Sequence, residues 1–251
     1  MALAHDGHPP SVVIDAGTGV RRVSDVLGGD AFRGSILLGH LHWDHTQGLP
    51  FFAAADRPDA RADLYIPAQG DAAELLSRAL SPPHFPIGPH QLRGSWSFRS
   101  LEPGHHTIEG FSVLALDIPH KGGRTYGFRV SDGSGTIAYM SDHSPVMLGR
   151  GPEGLGQYHE AALGLARDVD MLVHDGQHTA EEFEEKTGLG HSAVEYAVGL
   201  AKEAGARRLL LFHHDPPRTD DQIDLIVGAL QNGPVPVGAA AEGMVIELQR
   251  P

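Results

Sequence analysis

The stretch His40-Leu41-His42-Trp43-Asp44-His45 places three imidazoles and one carboxylate within six residues. Buried polar groups cost free energy unless they are paired, so core packing does not ask for such a cluster, whereas a metal ion does. The preceding run, Ser35-Ile36-Leu37-Leu38, is an apolar strand signal. If the chain stays extended past Gly39, side chains two apart point the same way, and His40, His42 and Asp44 share one face. His45 joins them only if the backbone turns, for which Thr46-Gln47-Gly48 supplies the turn and Leu49-Pro50-Phe51-Phe52 an apolar anchor behind it. The chain has no cysteine, so any metal is held by nitrogen and oxygen, which suits zinc, iron or manganese.

Composition narrows the function classes. A length of 251 residues with 41% hydrophobic content is compatible with one domain over residues 1–251 and a sizeable core. Lys and Arg number 19 against 32 Asp and Glu, a formal charge of -13, and the basic residues cluster no further than the pairs Arg21-Arg22 and Arg207-Arg208. That balance argues against nonspecific binding to a nucleic-acid backbone. The start, MALAHDGHPP, lacks the cationic and apolar regions of a signal peptide, and no run of about 18 apolar residues occurs. A cytoplasmic protein without membrane contact is the expectation. A homodimer is compatible with these features, which do not fix the oligomeric state.

Along the chain, Ser11-Val12-Val13-Ile14-Asp15 reads as a strand entering Ala16-Gly17-Thr18-Gly19, a strand-to-helix turn; Arg22 at the third glycine position spoils a dinucleotide fingerprint. A strand near Asp63 to Ile66 precedes a helix from about Asp71 to Leu80. Pro82, Pro83, Pro86 and Pro89 make residues 81–90 a loop, with Phe85 as a candidate apolar rim contact. Strands are expected over 95–101, 108–116, 124–130 and 136–140. Helical patterns over 157–167, 180–186, 193–204 and 220–230 then alternate with apolar strands at 171–173 and 209–212. Such alternation indicates sheets covered by helices, an α/β architecture.

Further ligand candidates stand at strand ends: His120 after Phe111 to Ile118, Asp142 just past Tyr139-Met140, and His213 and His214 after Leu209 to Phe212. The order HLHWDH, His120, Asp142, His213 resembles the metallo-β-lactamase superfamily over almost the whole chain, with its motif His-x-His-x-Asp-His matched in every ligand type. The resemblance implies a four-layer αβ/βα sandwich of two mixed β-sheets flanked by helices, with a two-metal site at one edge. It implies that His40, His42 and His120 hold one divalent ion, zinc before manganese or iron, and that Asp44, His45 and His213 hold the other, with Asp142 bridging. Asp44 then serves as ligand and as catalytic carboxylate.

Within the superfamily, His191-Ser192 ahead of a helix and the segment LLLFHHDPP look like the branch of tRNA 3′-processing endonucleases and small phosphodiesterases. The role implied for His191 is proton donor or charge stabiliser at the scissile phosphate. Ser192 with Glu195 reads as a capping box, and Val194, Ala197, Val198 and Ala201 as the apolar face of that helix. His174, Asp175 and His178 are candidate orienting partners, while His5, His8, His105 and His106 are expected in solvent. Two departures stand out. Residues 1–10 leave little room for the first strands usual in relatives, so one sheet is expected to lack them. Residues 121–141, between His120 and Asp142, are needed for two strands and leave no room for a tRNA-gripping arm. The expected reaction is attack of a metal-bound hydroxide on a small or short phosphodiester rather than on tRNA. The competing readings are a lactone, thioester or β-lactam hydrolase using the same metals, and a mononuclear iron enzyme of oxygen chemistry or a non-catalytic binding member.

Overall fold

Short β-branched and leucine-rich runs, cut by glycine and aspartate turns, become strands in the computed structural model, which describes residues 1–151 and 153–248. The chain divides into two compact units, Met1–Pro103 with Thr107–Gly110, and Gly104–His106 with the chain from Phe111 onward.

In the first unit β1 (Ala2–Leu3), β2 (Val12–Ile14), β3 (Arg33–Leu37), β4 (Arg61–Pro67) and β5 (Ser95–Leu101) form a sheet in that order. β1 runs antiparallel to β2 and the remaining pairs are parallel, with Ile14 beside Leu37 and Ile36 beside Leu64. All three residues of β2 are buried, as an inner strand requires, while β4 alternates, burying Ala62, Leu64 and Ile66. The helices are α1 (Arg21–Val26), α2 (Trp43–Thr46) and α3 (Ala72–Ser77). α3 is shorter than the sequence pattern suggests; it starts where the Asp71 carboxylate accepts from the Glu74 N–H at 2.8 Å. Val23, Leu27, Phe32, Phe52, Leu64 and Leu76 belong to one core, on which Phe85 packs from the proline-rich loop.

A second sheet is made of β6 (Gly104–Ile108), β7 (Phe111–Asp117), β8 (Tyr126–Ser131), β9 (Thr136–Met140), β10 (Met171–Asp175), β11 (Leu209–Phe212) and β12 (Val237–Ala239). Their spatial order is β12-β11-β10-β9-β8-β7-β6. β9 to β12 are mutually parallel, and β8 is antiparallel to both β7 and β9. The single strand expected over 108–116 is two: Glu109 and Gly110 take positive φ values of 49° and 83° and turn the chain between β6 and β7. Glu109 holds that turn with its carboxylate, which accepts from Arg61 Nη2 at 2.8 and 2.9 Å and from Ser35 Oγ at 2.8 Å.

Four helices follow, α4 (Glu160–Ala166), α5 (Ala180–Lys186), α6 (Val194–Glu203) and α7 (Asp220–Ala229). Leu165 of α4 and Val194, Ala197, Leu200 and Ala201 of α6 share a core with Met140, Leu172, Leu209 and Leu211 of the sheet. The expected capping box at α6 does not form. The N-cap is Ala193; Ser192, one residue earlier, donates its hydroxyl to the His143 carbonyl at 2.5 Å, and Glu195 instead accepts from the Ala180 N–H at 2.7 Å, capping α5. No helix among the described residues is long and apolar enough to cross a membrane.

Candidate metal centre and active site

Parallel strands deliver their carboxyl ends to one edge of a sheet, and in each unit the polar side chains singled out in the sequence lie just past such ends. In the first unit Asp15 follows β2 and His40 follows β3. The chain stays extended through His42 and then turns into α2, so Asp44 lies on a helical turn and not on the extended face that alternation from Gly39 implies. The same turn brings His45 back: its ring centroid lies 4.3 Å from that of His40, which is 4.3 Å from His42. Asp44 Oδ2 lies 3.1 Å from His45 Nε2.

Asp15, which the sequence marks only as a strand end, joins this cluster. One of its carboxylate oxygens faces His45 Nδ1 at 2.8 Å and the other accepts from the Gly39 N–H at 2.7 Å, so it fixes both the His45 ring and the start of the motif loop. Burial raises its carboxyl, but the charge and hydrogen bond of His45 and the Gly39 N–H outweigh that and hold it below its ordinary value. Gly17 and Gly48 are glycines for steric reasons: a Cβ would lie 2.1 Å from the Asp44 carbonyl oxygen and 2.0 Å from that of Gly17, respectively.

In the second unit Asp142 and His213 lie just past β9 and β11, Asp175 is the last residue of β10, and the segment after β7 carries His120. Three imidazoles converge on one oxygen. Asp142 Oδ1 lies 3.7 Å from His120 Nε2, 3.4 Å from His213 Nε2 and 3.9 Å from His191 Nδ1. The His120 and His213 separations are long for hydrogen bonds, yet two ligands each about 2.1 Å from a tetrahedral ion stand roughly 3.4 Å apart. The far nitrogens of the rings are engaged as metal-ligating histidines require. His120 Nδ1 donates to the Gly190 carbonyl at 2.7 Å; Gln177 Nε2 lies 3.0 Å from His213 Nδ1, and with that amide turned over its oxygen accepts from Nδ1–H and leaves His213 Nε2 the lone pair a ligand needs. Nε2 of His120 therefore carries the lone pair. This donor set, imidazoles and carboxylates without thiolate, fits divalent zinc, manganese or iron.

Behind His191 stands Asp175, fully buried. Its Oδ2 faces His191 Nδ1 at 2.9 Å and accepts from the His143 N–H at 3.1 Å, and its Oδ1 accepts from the Gln177 N–H at 3.0 Å. Asp175, a candidate orienting partner, is thus in contact with the His191 ring. His174 bonds to the Asp175 carbonyl and to His143, while His178 is buried with neither ring nitrogen hydrogen-bonded. His213, rather than His214, faces Asp142. Asp15, Asp142 and His213 all adopt positive φ, 60°, 53° and 55°, a conformation that non-glycine residues rarely hold without a compensating role. Gln177 and His143 escaped the sequence reading because an amide and a lone histidine carry no spacing signature.

Residues 11–214 match the family model described as "Beta-lactamase superfamily domain". The chain is 25% identical to a ribonuclease Z of Myxococcus xanthus, with 98% of this chain and 91% of the relative aligned. Among solved structures it resembles a metallo-β-lactamase fold protein of Bacillus subtilis (TM-score 0.65, 21% identity, 93% of this chain and 85% of the other). It also resembles a diphosphatase of the PhnP family (TM-score 0.70, 18% identity, 98% and 83%). The two mixed sheets flanked by helices are thus the metallo-β-lactamase fold. The chain belongs to the metallo-β-lactamase superfamily, in the branch of the ribonucleases Z and related phosphodiesterases, and is a metal-dependent hydrolase.

Proposed function

We propose that the protein hydrolyses a phosphodiester at a binuclear centre to which His40, His42 and His120 contribute one ion's ligands, Asp44, His45 and His213 the other's, and Asp142 a shared carboxylate. The reading treats the two units as halves of one catalytic domain, because the family match runs without interruption from residue 11 to 214. The observation that carries it is the convergence of the His120 and His213 Nε2 atoms on Asp142 Oδ1 at ligand-to-ligand spacing. When bound, two divalent ions, zinc by preference with manganese or iron as alternatives, supply Lewis acidity that lowers the pKa of water and offsets charge building on phosphoryl oxygens.

The chain's own groups do the rest. His191, held through Nδ1 by the Asp175 carboxylate, presents Nε2 as the proton donor to the departing oxygen, and the buried carboxylate stabilises the charged ring. Asp44, its side chain half exposed and 3.1 Å from His45 Nε2, is the carboxylate that would orient the attacking water. The His191–Asp175 pair favours a phosphoryl substrate over a lactone, thioester or β-lactam, whose leaving groups the same metals would also serve.

A small or short substrate is supported by the segment between His120 and Asp142, which is taken up by β8, β9 and their turns, and by the charge of -13. The ribonuclease name of the relative weighs toward RNA. The test compares bis(p-nitrophenyl) phosphate, a 3′-extended tRNA precursor, a lactone and a cephalosporin on one preparation. Chelator-sensitive turnover of the aryl phosphodiester, exceeding that of the other three, is expected. Cleavage of the tRNA precursor alone overturns the substrate class, and turnover of the lactone or cephalosporin alone overturns the reaction.

A further inference from the structure

Behind Asp142 the second unit contains a row of three histidines that the metal site does not use. His143 Nδ1 lies 2.9 Å from His174 Nε2, and His143 Nε2 lies 2.8 Å from His159 Nε2. His143 and His174 are completely buried, and His159 reaches partly into solvent at the start of α4. A neutral imidazole has one donor and one acceptor, so three in series satisfy one another only if every proton points the same way.

The two ends fix that direction. His159 Nδ1 caps α4 by accepting from the Ala162 N–H at 3.4 Å, which puts its proton on Nε2. At the other end His174 Nδ1 lies 2.7 Å from the Asp175 carbonyl oxygen, which can only accept, so that nitrogen carries a proton. The row therefore reads His159 Nε2–H to His143 Nε2, His143 Nδ1–H to His174 Nε2, and His174 Nδ1–H to Asp175 O. Each ring is neutral and each tautomer is determined. A proton added to His143 or His174 would set donor against donor.

We propose that this row is a positioning device for the Asp175–His191 pair, built from His159, His143 and His174. It fixes the His143 ring, whose peptide N–H donates to the same Asp175 oxygen that faces His191, and it grips the Asp175 main chain through His174. Ser192, next to His191, closes the loop by donating to the His143 carbonyl. The inference rests on the reading of His191 as the group that serves the leaving oxygen, but its geometry stands apart from the substrate.

The test uses the metal-loaded protein and two substitutions at the distant end. In His159→Gln the amide nitrogen takes the place of Nε2 and can still donate to His143. In His159→Asn the amide oxygen takes the place of Nδ1, keeping the helix cap but not reaching His143. Nitrogen-15 spectra of the wild-type imidazoles are expected to show His159 as the Nε2–H form and His143 and His174 as Nδ1–H forms, all neutral at pH 7. The His191 Nδ1–H signal should exchange faster with water in His159→Asn and recover in His159→Gln. On bis(p-nitrophenyl) phosphate kcat should fall about tenfold in the first and return in the second, with KM and metal content unchanged, a smaller loss than the roughly 10²-fold of a 1 Å misplacement.

A charged or oppositely protonated His143 or His174 in the wild type overturns the proposal even if neither variant folds. So does a His191 signal unchanged in His159→Asn, or equally perturbed in both variants. If the signal responds as stated while the wild type turns over no phosphodiester, the positioning row is supported and the assigned reaction fails.

Discussion

Replacing Asp175 by asparagine keeps the shape of the side chain and removes its charge. The carboxylate serves three donors, the His191 ring and the His143 and Gln177 amides, divided between two oxygens. An amide offers one oxygen and one NH2, so whichever way it rotates, its NH2 confronts at least one buried N–H. A buried donor left unmatched costs about 1–3 kcal/mol, and for a protein of this size each kcal/mol lowers Tm by roughly 2–4 °C. The catalytic effect is separate: the charge-assisted bond to the His191 ring, worth about 1.5–3 kcal/mol, becomes at best a neutral one. At about 1.4 kcal/mol per decade, kcat for bis(p-nitrophenyl) phosphate should fall roughly 10- to 100-fold while KM stays within about threefold. Steady-state kinetics at saturating zinc, beside a thermal melt of the same sample, measures both. A folded Asp175→Asn protein with kcat within twofold of wild type would refute the assignment of Asp175 as the partner of a working His191.

The other predictions concern the two half-sets and the buried histidines. Asp15→Ala removes the carboxylate that holds His45 and should weaken metal affinity roughly 10- to 100-fold, read by competition with a chromogenic chelator; unchanged affinity would show that His45 is not held through Asp15. His213→Ala should lose about one equivalent of metal per chain and His214→Ala none, counted by elemental analysis. Burial lowers the pKa of His143 and His174, and that of His159 from 6.5 to about 4. Groups depressed in the folded state are charged first in the unfolded chain, so the stability they support is present above about pH 6.5 and is lost as pH falls through the folded-state value, which for His159 is about 4. For the partly open His159 this is on the order of 1–2 kcal/mol once solvent screening is allowed for. Urea unfolding of the metal-free protein at pH 7, 6 and 5 should show midpoints falling with pH, and a flat series contradicts the neutral row.

The sequence revealed most where chemistry repeats at short range. HLHWDH, together with His120, Asp142 and His213 at strand ends, was legible because imidazoles and carboxylates at those positions have few structural explanations. α5 was legible as a helical pattern at about residues 180–186. Where contact is long-range the reading was silent or wrong. Asp15 lies 30 residues from His45 in sequence, and only the parallel pairing of β2 and β3 makes them neighbours. Glu195 looked like the partner of Ser192 in one helix, but tertiary contacts drew the two apart, one to α5 and one to His143. The hairpin at Glu109 was hidden because its turn is stabilised by Arg61 and Ser35, far off in the chain, rather than by local turn chemistry alone.

The most direct test of the two-metal reading is metal content and phosphodiester hydrolysis measured on a single preparation, before chelation, after it, and after zinc is restored, with Asp142→Ala alongside. About two divalent ions per chain are expected, with turnover of bis(p-nitrophenyl) phosphate that disappears and returns with them, and an inactive Asp142→Ala protein. Substantial turnover by the chelated protein, or a single iron with no gain on adding zinc, would contradict the two-metal reading.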